Sequence, residues 1–176
     1  PDTAVQESRE RVKAALKNAG FAFPMRKIVI NLTPADLRKE GPSFDLPISV
    51  GILAASEQVD GGLLGDYLFL GEVSLDGSLR PIAGVLPIAA TAKKMGMAGI
   101  VLPADNAQEA AVVEGLAVYG FQHLSEVAQF LNQPETYQPV SLDPKAEWGT
   151  SPLTCPDLKD VKGQAHARRA LEIAAS

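Results

Sequence analysis

The chain has 176 residues, and its 16 Lys and Arg against 21 Asp and Glu give a net charge of −5, which argues against a free-standing nucleic-acid binder that relies on clustered cations. A hydrophobic content of 46% excludes a disordered chain and predicts one packed domain, with or without part of a second. The polar N-terminus, the lack of an apolar run near the roughly 20 residues of a membrane helix, and the single cysteine, Cys155, lead us to expect a cytoplasmic protein without internal disulfides.

The first half of the chain predicts two helices, a strand and a hairpin. A helical apolar stripe ends at Gly20, where glycine is a common helix stop. The β-branched run after it predicts a strand closed by Pro34, and an apolar helix follows. The Asp76-Gly77 pair is a strong hairpin signal between two predicted strands. In chain order these elements cover residues 4–20, 26–34, 44–56 and 66–82.

The second half of the chain alternates helices with short apolar strands. Helices are predicted in "VLPIAATAKKMG", "NAQEAAVVEG" and "LSEVAQFLNQ", and strands in "GIVLP" and "LAVYGF". Together with the hairpin, this order predicts a mixed α/β domain, of α+β character, over residues 1–132.

The composition and periodicity of the sequence change after residue 132. Residues 133–156 are proline-rich and lack periodicity, which predicts an extended linker. Residues 157–176 have the sequence "DLKDVKGQAHARRALEIAAS", which predicts the first helix of a second domain. We therefore expect a domain, a linker and the start of another domain.

Ser43 is the first residue to examine for chemistry, because it lies on a Gly-Pro-Ser corner before an apolar helix. Such a corner often presents a nucleophile, but a catalytic serine also needs a base within hydrogen-bond reach. Neither histidine is an obvious partner: His123 begins a helix and His166 lies beyond the linker. On composition alone, a helix-entry turn is the simpler interpretation of Ser43.

Other candidate sites are weaker. The glycine-rich stretch at 59–66 lacks the lysine of a phosphate loop and is better explained as a connector. Cys155 and His166 are too few ligands for a zinc site. The pair Lys93 and Lys94 ends a helix, where positive charge is favourable on dipole grounds alone.

Four stretches in combination resemble one family. "NLTPADLRKEGPSFDLPIS", "LGEVSLDGSLRPIAGVLP" and "DLKDVKGQAHARRALEIAA", with the opening "PDTAVQESRERV", are similar to the ComM/YifB family of magnesium-chelatase-like proteins. The resemblance runs through the whole chain. It implies a domain with the fold of the Lon proteolytic domain, followed by an AAA+ ATPase.

The resemblance to Lon bears on Ser43, which falls on the nucleophile of the Asp-Gly-Pro-Ser-Ala-Gly motif of that family. Leu70 stands where Lon has a supporting threonine, and Ile88 stands where it has the lysine base. Since an isoleucine accepts no proton, the resemblance implies that Ser43 is a relic with no catalytic role. Phe44 and Asp45 also depart from the Ala-Gly of the motif.

Both ends of the chain depart from the family pattern. Family members have a β segment before the position of Pro1, and the glycine-rich Walker A loop is expected just after Ser176. The resemblance places Val161, Gly163 and Gln164 beside the adenine in an intact protein, with ATP and Mg²⁺ as its cofactors. No metal site and no cofactor are expected within these 176 residues.

The resemblance implies a non-proteolytic accessory domain of a ring-forming motor, expected to be a hexamer, that binds DNA and drives branch migration as a helicase during natural transformation, or competence, and recombination. Two alternatives stay open. One is a Lon-like serine peptidase in which Lys93 or Lys94 replaces the lost base. The other is a magnesium-chelatase-type motor that remodels a protein partner.

Overall fold

The computed structural model describes residues 3–31, 42–141, 163 and 165–174. The helices are α1 (Thr3–Asn18), α2 (Asp45–Ala55), α3 (Val85–Lys94), α4 (Ala104–Ala111), α5 (Leu124–Asn132) and α6 (Ala165–Ala174). The strands are β1 (Tyr67–Phe69), β2 (Glu72–Val73), β3 (Leu79–Arg80), β4 (Gly99–Pro103) and β5 (Ala117–Phe121). Short 3-10 turns cover Pro42–Phe44 and Pro134–Thr136. The predicted mixed α/β fold is confirmed.

A parallel sheet forms the centre of the fold. Its three strands lie in the order β1-β4-β5, with Phe69 opposite Val101 and Val101 opposite Tyr119. All five residues of β4 are buried, as expected for the middle strand of a parallel sheet that is covered on both faces. The continuous apolar run "GIVLP" is therefore the sequence signal of this central strand.

The helices cover the sheet on two sides, because neighbouring residues of a strand point to opposite faces. Val101 packs in one apolar core with residues of α1, α2 and α5. Ile100 and Leu102 pack in a second core with residues of α3 and α4. The result is a three-layer arrangement in which the central strand β4 leads directly into α4.

The predicted hairpin differs from the structure in its first strand. Residues 67–73 do not form one strand, since β1 joins the parallel sheet and only β2 pairs with β3, Val73 lying opposite Leu79. The break falls at Gly71, whose φ of 155° is a conformation that glycine accepts readily. The turn at Asp76-Gly77 is confirmed, with a φ of 90° at Gly77.

The strand predicted at 26–34 is not present over its described part. Residues 26–31 lie outside any strand, and Val29 is 78% exposed. A β-branched run favours a strand only where a neighbour pairs with it, and the backbone of 26–31 makes no hydrogen bond with the described residues. Residues 32–34 lie outside the described part.

The contacts divide the chain into two units, residues Pro1–Leu142 and Asp143–Ser176. In the first unit, residues 133–141, which the sequence assigns to the linker, contact the domain: the amide of Val140 donates to the carbonyl of Val118 at 2.7 Å, and Tyr137 packs against Phe130. In the second unit, α6 agrees with the predicted helix.

Candidate functional site

The turn that carries Ser43 is held to the end of β1 by two backbone hydrogen bonds. The amide of Gly71 donates to the carbonyl of Ser43 at 3.0 Å, and the amide of Leu46 donates to the carbonyl of Gly71 at 3.0 Å. The Pro42–Phe44 turn thus enters α2 through a fixed geometry. The corner expected at Ser43 is therefore a turn that two backbone hydrogen bonds fix in place.

Gly71 is required at this contact for reasons of space as well as conformation. A Cβ at this position would lie 3.1 Å from Cγ of Pro103 and 3.5 Å from Cδ2 of Leu46. A larger residue would push β4 and α2 away from the turn. Glycine therefore permits the close approach that brings Ser43 beside the end of the sheet.

Asp45, two residues after Ser43, holds a buried charge. Its side chain is 0% exposed, and its carboxylate accepts from the Ser8 hydroxyl at 2.5 Å and from Nε and Nη2 of Arg11 at 2.8 and 3.2 Å. The hydrogen bond to Asp45 raises the pKa of Arg11, against a smaller opposing effect of burial. The amide of Val73 is a more distant donor, at 3.5 Å. With these donors in place, the carboxylate ties α1 to the first turn of α2.

The hydroxyl of Ser43 makes no hydrogen bond with any residue in the described part of the chain. Ser43 is half-buried, and the contact it does make runs through its backbone carbonyl. The structure thus gives Ser43 a place in a helix-entry turn and supplies no described acid or base partner for its side chain.

Leu70 and Ile88, which the sequence resemblance places at the Lon threonine and lysine, both have apolar surroundings. Leu70 is buried in the second core. Ile88 lines an apolar groove of about 370 Å³ with Leu68, Met95 and Met97. Ser43 does not line this groove, and the groove offers no acid or base for proton transfer.

Lys93, one of the two alternative bases, and His123 have other contacts. Lys93 donates its ammonium to the backbone carbonyl of Glu114, beyond the last turn of α3. His123 is the N-cap of α5: its Nδ1 accepts from the amide of Ser125, and Glu126 completes the capping box. His123 also contacts the carbonyl of Asp76 through Nε2 at 3.0 Å, which fastens the hairpin turn to α5.

Sequence reasoning missed the charged network of Ser8, Arg11 and Asp45. Arg11 lies among several charged residues of α1, and only its spacing from the apolar stripe places it at the edge of the buried face. The partner lies 34 residues away along the chain, so the pairing is a tertiary feature.

The remaining predicted site residues are those that the resemblance places beside the adenine of a bound nucleotide. Val161 and Gln164 lie outside the described residues, and Gly163 is exposed with a φ of 78° just before α6. The described residues hold no group of three His, Cys, Asp or Glu side chains that would suit a metal ion. None of the described helices is long and apolar enough to cross a membrane.

Comparison with known proteins gives a family and three informative relatives. The family described as "Subunit ChlI of Mg-chelatase" matches residues 1–106. The chain is 43% identical over 178 aligned residues to "Competence protein ComM" of Haemophilus influenzae, covering 100% of this chain and 35% of that protein. It is 40% identical to YifB of Escherichia coli over 176 residues, covering 100% of this chain and 34% of YifB.

The third relative is "Lon protease 2" of Bacillus subtilis, which is 27% identical over 139 residues, covering 77% of this chain and 25% of that protein. The chain thus spans about a third of the length of ComM and YifB. The predicted similarity to ComM and YifB is confirmed, with a weaker similarity to Lon. Because the ChlI match covers more than half of its residues, the chain belongs to the family of Mg-chelatase subunit ChlI.

Proposed function

We propose that this chain is a Lon-like domain without peptidase activity that serves as an accessory module of a ring-forming DNA motor of the ComM type. The observation that carries the non-proteolytic part is Ile88. The resemblance to Lon predicts Ile88 at the position of the base lysine, and Ile88 lines an apolar groove apart from Ser43. A serine hydroxyl with no base nearby is a poor nucleophile at neutral pH.

A serine-reactive fluorophosphonate probe and casein test the lost peptidase activity. We expect no covalent labelling of this chain and no cleavage of casein, with a Lon protease as the positive control. Stoichiometric labelling that disappears in Ser43→Ala would overturn this part of the proposal and favour the peptidase alternative. Lys93→Ala and Lys94→Ala would then identify the base.

The motor part of the proposal draws on the similarity to ComM, which extends over 100% of this chain. We propose that a longer protein containing this domain forms a six-membered ring in the cytoplasm and drives branch migration of DNA with ATP and Mg²⁺. The present residues do not fit the phosphates of ATP, because the sequence holds no G-x-x-x-x-G-K-[ST] loop. We therefore assign no nucleotide chemistry to this chain, with Val161, Gly163 and Gln164 proposed only as adenine-side neighbours in the longer protein.

A branch-migration assay tests the motor role directly. The longer protein, purified with ATP and Mg²⁺, is expected to convert a synthetic Holliday junction into forked products, and a variant lacking the phosphate-loop lysine is expected to be inactive. If the longer protein assembles into a ring and hydrolyses ATP but leaves branched DNA unchanged, the DNA-motor role is excluded.

The second candidate is a motor that remodels a protein partner, as the family match to an Mg-chelatase subunit favours. Both candidates predict ATP hydrolysis, so hydrolysis alone does not separate them. Stimulation of the ATPase activity by branched DNA supports the DNA motor, whereas stimulation by a protein partner and none by DNA supports the remodelling motor.

A further inference from the structure

The solvent-facing side of α1 carries a row of basic residues. Arg9, Lys13 and Lys17 are spaced four residues apart, so they lie on one helical face with a rise of about 6 Å between neighbours. Arg9 and Lys17 are exposed, and Lys13 is half-buried. Val12 and Leu16, on an adjoining face of α1, pack into the first core, and the row lies along the edge of that buried face.

The segment after α1 extends this row. Nζ of Lys13 lies 5.9 Å from the ring centre of Phe23, which places that segment against the helix. Arg26 and Lys27 follow Phe23 by three and four residues, so the chain holds both of them within about 14 Å of it. We call Arg9, Lys13, Lys17, Arg26 and Lys27 the basic face.

The cations of the basic face have no carboxylate partner in the described part of the chain. The salt bridge found among the described residues uses Arg11, whose partner Asp45 is fully buried. Two exposed acids of α1, Glu7 and Glu10, lie near the row without forming an ion pair with it. The face therefore keeps an excess of positive charge in a chain whose net charge is −5.

We infer that the basic face binds the phosphate backbone of DNA without reading its sequence. Regularly spaced Lys and Arg side chains without carboxylate partners are the groups that neutralise successive phosphates. Lys13 covers the ring of Phe23, so the face presents cations and no free aromatic platform for base stacking. The choice of DNA among polyanions rests on the proposed DNA motor.

Fluorescence anisotropy of the 176-residue chain with labelled oligothymidylate and a labelled duplex tests this surface at about 50 and 200 mM salt. The double variant Arg9→Gln/Lys17→Gln is compared with Lys93→Gln/Lys94→Gln, which removes the same charge from the end of α3. We expect weak binding at the lower salt, a loss of about tenfold or more in the α1 variant, and little change in the α3 variant. Equal weakening by both variants would overturn the inference, as would equally tight binding of labelled polyglutamate.

The outcome is separable from that of the proposed function. An absence of DNA binding by this chain at the lower salt would refute the basic face, while branch migration by the longer protein would still support the motor. Conversely, DNA binding through the basic face combined with a motor that leaves branched DNA unchanged would refute the motor alone.

Discussion

At the scale of single residues, the turn at Ser43 depends on its neighbour Asp45 more than on the serine itself. The buried carboxylate accepts hydrogen bonds from the Ser8 hydroxyl and from Nε of Arg11, both on α1. These bonds connect α1 with α2, which are far apart in sequence. A buried charge is tolerated only while it is paired and hydrogen-bonded. The stability of the helix-entry turn should therefore respond strongly to Arg11 and weakly to exposed cations of the same helix.

Replacing Arg11 by alanine is expected to lower the free energy of unfolding by about 2–3 kcal/mol, since it leaves the charge of Asp45 buried with fewer donors. The figure is below that for a fully buried pair because the Arg11 side chain is 25% exposed. Urea denaturation measures the change. Arg9→Ala on the same helix is the control, with an expected change within about 0.5 kcal/mol. Equal effects of the two variants would show that the ion pair contributes nothing specific.

At the scale of elements, the hairpin turn is fixed by contacts from α1 and α5. The side-chain amide of Asn18 donates to the carbonyl of Leu75 at 2.7 Å, and His123 reaches the carbonyl of Asp76 from the N-cap of α5. Gly77 lies between these elements and is buried. The turn that the sequence predicts from local chemistry is thus also a packing site between two helices.

Gly77→Ala is expected to destabilise the chain more than Gly96→Ala, although both glycines have a φ in the left-handed region, 90° and 77°. A Cβ on Gly77 would lie 2.8 Å from Nε2 of His123 and 3.1 Å from Cβ of Ala19, whereas one on Gly96 would meet nothing within 4 Å. The backbone cost is about 1 kcal/mol for each, and the clash brings the total at Gly77 to about 2 kcal/mol or more. Urea denaturation of both variants distinguishes these values; equal losses would show that the turn relaxes freely.

Acid is expected to loosen the same turn. The hydroxyl and amide of Ser78 donate to one carboxylate oxygen of Asp76 and lower the pKa of that group. A lowered pKa means that the contribution is present above the usual value of 3.8 and is lost as the pH falls through the folded-state value. The amide resonance of Ser78, followed by NMR, should titrate with a midpoint below 3.8. Asp76→Asn should abolish that titration, and a midpoint above the usual value would contradict the assignment.

At the scale of the whole molecule, the end of the first unit is set by aromatic packing. Tyr137 lies 5.5 Å from Phe121 and 5.7 Å from Phe130 between ring centres, with edge-on geometry in both pairs. The proline content of residues 133–141 predicts a linker, yet Tyr137 and Val140 hold these residues against the domain. Proline restricts local conformation and does not prevent such contacts.

A chain that ends at Ser141 is expected to be more stable than one that ends at Asn132, by about 1–3 kcal/mol, because the shorter chain loses the two ring contacts and the hydrogen bond from Val140 to Val118. Thermal and urea unfolding compare the two chains. The control is Tyr137→Phe in the longer chain, which keeps both ring contacts and should change little. Equal stability of the two chains would place the domain boundary at residue 132.

The sequence by itself determined the features that depend on local pattern. The apolar run of β4, the glycine turn of the hairpin and the periodicity of α3 and α5 are each read within about ten residues, because backbone sterics and the alternation of side chains act over that range. The stretches around Ser43, across the hairpin and after residue 157, together with the opening of the chain, likewise led from the sequence to the family.

Only the tertiary structure decided which residues meet. The pairing of Arg11 with Asp45, the split of residues 67–73 between the sheet and the hairpin, and the exposure of Val29 each depend on elements distant in sequence. A carboxylate is buried only where donors converge on it, and a β-branched run becomes a strand only where a neighbour supplies hydrogen bonds. Both conditions are set by three-dimensional packing, so neither can be inferred from a short stretch of sequence.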